Sequence, residues 1–69
     1  MAAGTLTWWS SDRGFGFIQN DAGGPDMFVH SSDLKAAGID PTNIRLGQRL
    51  TFETTSFNGK PKADNVRIE

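Results

Sequence analysis

Five short runs of strand-forming residues, each closed by turn formers, leave this chain little choice but a small antiparallel β-structure. The runs are Thr5 to Ser10, Phe15 to Asn20, Met27 to His30, Arg49 to Phe57 and Ala63 to Ile68. Ser10-Ser11-Asp12-Arg13-Gly14 and Asp21-Ala22-Gly23-Gly24-Pro25-Asp26 separate the first three and predict antiparallel hairpins. Asn58-Gly59 predicts a two-residue hairpin after Phe57, and Pro61 suits a strand margin. Between the third and fourth runs, Ser31-Ser32-Asp33 offers cap residues before Leu34-Lys35-Ala36-Ala37, with Gly38 as a stop. That segment supports one short helical turn, followed by a loop through Asp40-Pro41-Thr42-Asn43.

No repeat or linker composition divides residues 1–69, so a single domain is expected. A chain of roughly this length buries only about 60% of the surface it exposes when unfolded. With 0 Cys and 1 His it has neither a disulfide nor a zinc cluster to add, and the apolar core must suffice. A roomy enzyme cavity, a metal site and a cofactor are therefore not expected. The N-terminus has no basic, apolar leader pattern, and no run nears the roughly 18 apolar residues of a membrane span. A soluble, cytoplasmic protein is the expectation, with a monomer as the simplest state.

Period-two alternation makes the second and third runs unusual. In Gly14-Phe15-Gly16-Phe17-Ile18, Phe15 and Phe17 share one face, with Gly16 and Ile18 on the other. In Met27-Phe28-Val29-His30, Phe28 and His30 lie opposite Met27 and Val29. If the aliphatic residues Ile18, Met27 and Val29 form the core, four rings lie together outside, and contiguous exposed apolar surface marks a binding site. The bland alternative inverts the sheet, burying the phenylalanines. Trp8 and Trp9 cannot share a face on a regular strand; Trp9 is assigned to the core and Trp8 to the extension of the ring row. Unpaired nucleic-acid bases suit such a row, because every base has a π-face. Lys60 and Lys62 are candidate phosphate contacts, although cations near a hairpin tip are by default solvated.

Two readings of other classes are weaker. A barrel gripping proline-rich peptides through Trp8, Trp9 and nearby phenylalanines leaves Arg13 and His30 without a role. A hydrolase has only Asp26, His30 and Ser31 or Ser32 to offer, on adjacent positions that point different ways. No catalytic residue is assigned.

Arg13-Gly14-Phe15-Gly16-Phe17-Ile18 resembles the first ribonucleoprotein motif of the cold-shock domain, and Met27-Phe28-Val29-His30 resembles the second. Gly4-Thr5-Leu6-Thr7-Trp8-Trp9, Ser32 and Ala63-Asp64-Asn65-Val66 also fit, so the likeness spans nearly the whole chain. An RNA-recognition motif, which uses a similar run, needs two sizeable helices that this chain lacks. The resemblance implies a five-stranded antiparallel OB-fold barrel that binds single-stranded RNA and DNA and acts as an RNA chaperone. It implies base stacking by Trp8, Phe15, Phe17, Phe28 and His30, with Arg13 as the basic residue before the ring run. The family usually carries Lys at Thr7, Phe at Trp9, Asn at Ser10 and Phe at Ser31, and its loop aromatic is replaced here by Ile39. A shortened platform with weaker binding is therefore expected.

Charge sets a further limit. The chain holds 7 Lys plus Arg against 8 Asp plus Glu, a net of -1, which excludes a strongly basic binder. The ring motifs lie in the most acidic third, where Arg13 faces Asp12, Asp21 and Asp26. Duplex DNA should bind poorly, and single strands should be held mainly by rings.

Overall fold

The computed structural model describes residues 1–69. Strands β1 (Ala2–Ser10), β2 (Phe15–Asn20), β3 (Met27–His30), β4 (Arg49–Phe57) and β5 (Lys60–Ile68), with one helix α1 (Ser31–Ala36), form a closed barrel. Its strand order is β1-β2-β3-β5-β4. β1 pairs antiparallel with both β2 and β4, β2 with β3, and β4 with β5. The expected barrel is present, with one departure from an all-antiparallel ladder. Its closing seam is parallel and rests on a single paired position, Phe28 with Lys62. Two strands begin earlier than expected, β1 at Ala2 and β5 at Lys60. In β5 the hairpin ladder runs to its very tip, with Pro61 at the strand margin opposite Ser56.

The core consists of Leu6, Ile18, Met27, Val29, Leu34, Leu50, Phe52, Ala63 and Val66, with Ala2, Trp9, Ile39 and Ile44 packed against its edge. Ile18, Met27 and Val29 thus face inward as their aliphatic character requires, and the inverted sheet is excluded. Ala63 and Val66 both point inward although three positions apart, because Asn65 takes a left-handed φ of 50° and adds a residue to the β5 ladder. The β4–β5 turn is built by Asn58 at φ 52° and Gly59 at φ 76°, the left-handed pair that a tight hairpin requires.

The cap of α1 differs from the expected serines. β3 runs straight into the helix, so His30, still extended at φ -96° and ψ 152°, is the N-cap. Its Nδ1 accepts from the Ser32 N–H at 3.1 Å, and Asp33 Oδ2 accepts from the His30 N–H at 3.1 Å, a reciprocal capping box. The Ser31 N–H is already taken by the Gly14 carbonyl at 2.8 Å, extending the β2–β3 ladder.

Candidate nucleic-acid interface

The position of Trp8 depends on an extra residue in β1. Leu6 pairs with Ile18 but Trp8 pairs with Phe17, so Thr7 is a bulge with no partner of its own. The bulge reverses the alternation. Trp8 joins Phe17 on the outer face and remains 42% exposed, while Trp9 turns inward opposite Gly16. Gly16 makes that turn possible. A Cβ there would lie 2.6 Å from Trp9 Cε3 and would collide with the Trp8 carbonyl oxygen. The glycine therefore serves the buried indole beneath the sheet rather than relieving crowding among the outer rings. Trp9 pays one cost, since its buried Nε1–H has no acceptor.

Five rings meet on the outer face. Trp8 lies 5.4 Å from Phe15 and 5.8 Å from Phe17, centroid to centroid. Phe15 stacks on Phe28 at 5.2 Å and 24°, and meets Phe17 edge-on at 5.9 Å. Phe28 reaches Phe17 at 6.2 Å and His30 at 6.4 Å. Cross-strand register sets this arrangement, because Phe15 pairs with His30 and Phe17 with Phe28. The phenylalanines are half-buried, while His30 is exposed. A backbone N–H can only donate, so Nδ1 of His30 is the acceptor and the ring carries its proton on Nε2. The cap thereby orients the imidazole at the end of the row with a donor to offer.

The remaining predicted residues divide. Arg13 lies exposed in the turn before Phe15, unpaired with any carboxylate, its backbone N–H bonded to Ser10 Oγ at 3.2 Å. Thr7 is exposed at the bulge and bonds the Phe17 carbonyl at 3.3 Å. Lys60 is exposed and unpaired, whereas Lys62 is committed: its Nζ lies 2.9 Å from Asp33 Oδ2, with side chains 20% and 15% exposed. Lys62 is thus a seam residue more than a free cation. Ser31 and Ile39 do not join the rings. Ile39 is half-buried against the core, and Ser31 lines a separate depression of about 220 Å³ with Trp9, Lys35, Asp40 and Thr42. Ile39, at the loop position where the family carries an aromatic residue, packs its side chain against the core. That loop is held by Asp40, whose carboxylate accepts from Thr42 N–H at 2.9 Å and Thr42 Oγ at 2.7 Å; these bonds lower its pKa.

A groove of about 510 Å³ runs from Phe15, Phe17 and Phe28 to the β4–β5 hairpin, where Phe57, Asn58, Lys60, Pro61 and Lys62 complete it together with Asp26. Phe57 and Asp26 were not assigned to the site from sequence. Phe57 had a usable signal, a large apolar residue directly before a hairpin turn. No cluster of three or more His, Asp or Glu side chains could hold a metal. Although Ser32 Oγ lies 3.0 Å from His30 Nδ1, the one nearby carboxylate, Asp33, is bonded to the His30 backbone and to Lys62 rather than to the ring.

Comparison with known proteins agrees with this geometry. A family model described as 'Cold-shock' DNA-binding domain matches residues 2–68. The chain belongs to the cold-shock domain family. It is 44% identical over 66 residues to the cold shock protein ScoF of Streptomyces coelicolor, covering 96% of each chain. It is 42% identical over 69 residues to the cold shock protein CspA of Rhizobium meliloti, covering 97% of each. A cold shock-like protein of Aquifex aeolicus is 35% identical over 65 residues, which span 94% of this chain and 90% of that one. Membership makes this a nucleic-acid-binding cold-shock protein.

Proposed function

We propose that the chain binds unpaired RNA and DNA by stacking successive bases on Trp8, Phe15, Phe17, Phe28 and His30, and acts as an RNA chaperone. The observation that carries this reading is the continuous row of five rings on the outer face of β1, β2 and β3. Bases in a duplex are already stacked on one another and cannot use these faces. A protein that binds only the open strand shifts a weak hairpin toward opening by mass action, with no need for ATP. Arg13 supplies a phosphate contact at the Phe15 end. Closure of the barrel limits the free strand edges offered to a second copy, which supports a monomer. No helix is long and apolar enough to cross a membrane; action on transcripts fits a cytoplasmic protein. On this reading binding itself is the activity.

The test is quenching of intrinsic Trp fluorescence by oligothymidine in the parent, Phe17→Ala and Phe28→Ala. One stacked base is worth about 1–3 kcal/mol, so each variant should bind roughly 5- to 100-fold more weakly while remaining folded. Folded variants with parental affinity would refute the stacking mechanism.

A further inference from the structure

Of the five phenylalanines, Phe15, Phe17 and Phe28 lie on the platform and Phe52 is core, which leaves Phe57 alone on the β4–β5 hairpin. The residue is 62% exposed. The turn does not need it, because Asn58 and Gly59 supply the required left-handed conformations. Phe57 pairs with Lys60 across the hairpin, and both line the groove that continues from the platform. Lys60 is also the groove's one free cation. Lys62, beside it, is neutralised by Asp33, and the Asp26 carboxylate in the same groove repels phosphate. Lys60 is thus what makes the hairpin end acceptable to a nucleotide.

We propose that Phe57 and Lys60 form an additional nucleotide position, the ring stacking a base and the ammonium meeting its phosphate, which lengthens the bound strand beyond the platform. The occupant is the next nucleotide of the same strand, because groove and platform are continuous and no other feature of the hairpin selects a different partner. This position rests on the single-strand reading above. A flat ring with a neighbouring cation takes any base, so it adds length to the footprint rather than sequence preference.

The experiment titrates the parent, Phe57→Ala, Phe57→Trp and Lys60→Ala with oligothymidines lengthened one nucleotide at a time, with thermal melts of each protein. The expected result is equal binding of the shortest oligomers by all four proteins. Beyond a threshold length the parent and F57W should gain a further roughly 5- to 100-fold that F57A lacks. Over the same lengths K60A should reduce the salt slope by about 0.7. Parental binding by F57A at every length, or a uniform loss at every length, would overturn the added position. Concentration-dependent sedimentation of the parent that F57A abolishes would overturn it too, by showing that the ring covers a second copy. Failure of the parent to bind any oligomer would instead sink the stacking platform itself.

Discussion

The barrel's weakest backbone join is also where its most sheltered ion pair sits, and replacing Asp33 tests whether that placement matters. β3 and β5 share one paired position, Phe28 with Lys62, so little main-chain hydrogen bonding holds this seam. Asp33 Oδ2 accepts from Lys62 Nζ at 2.9 Å and from the His30 N–H at 3.1 Å, tying α1, β3 and β5 through one oxygen. An exposed pair contributes about 0–1 kcal/mol, and breaking a buried one costs about 3–5 kcal/mol. With side chains 15% and 20% exposed, this pair falls between these limits. Asp33→Asn keeps an oxygen for the cap but strands the ammonium, and should cost about 2 kcal/mol. For a domain of this size that lowers Tm by on the order of 10 °C. Lys62→Met should cost less, because its stem still packs. The assay is a double-mutant cycle by thermal and urea melts of the parent, D33N, K62M and the double variant. The double variant should be at least about 1 kcal/mol more stable than the two single losses predict. Additivity within about 0.5 kcal/mol would show that the pair is screened and that the seam is held by core packing alone.

Three further outcomes follow from the same geometry. Gly16→Ala should destabilise by about 1–3 kcal/mol, read by thermal melting, because its Cβ has no room between Trp9 and the Trp8 carbonyl. Hydrogen bonds from Arg49 hold the Asp21 carboxyl below its ordinary value of 3.8. The native state therefore binds fewer protons there, and its stabilisation is present above pH 3.8 and lost as pH falls through the depressed native value. Melts across this range should show a shallower acid limb in Arg49→Met than in the parent. Finally, binding of single strands should depend weakly on salt. Arg13 and Lys60 are the free cations beside the rings, so the log–log slope should be about 0.7 to 1.4, and a steeper slope would contradict binding by rings.

The hairpin chemistry was legible because it is local. Asn58-Gly59 specifies its own turn, and alternation in β2 and β3 sorts Ile18, Met27 and Val29 from Phe15, Phe17 and Phe28. The face of Trp8 was legible only through the choice of Trp9 as the buried indole, and its cause was hidden. A bulge at Thr7 has no sequence signal of its own; it arises where β1 leaves its ladder with β4 and must coil around the barrel. Strict alternation from Leu6 would have sent Trp8 inward and Trp9 out. The cap was missed for a related reason, since the serines after His30 resemble cap residues until one knows that the Ser31 N–H belongs to Gly14.

Charge was the least legible property, because a formal count cannot say which cations are spent. Arg49 is committed to Asp21 and Glu69 at the barrel wall, and Lys62 to Asp33 at the seam. Both are structural cations in a chain whose net charge is already -1. What remains unpaired is Lys60 in the groove beside Phe57, and Arg13 in the turn that leads into Phe15. Such a surface attracts a polyanion weakly at long range. On the stacking reading proposed above it gains affinity only when bases are free to stack, so the poverty of charge would itself discriminate against duplexes. If the rings hold the single strand and offer a duplex nothing, adding lysines along the outer face should raise affinity for duplex DNA more than for single strands; an equal gain for both would refute that division of roles.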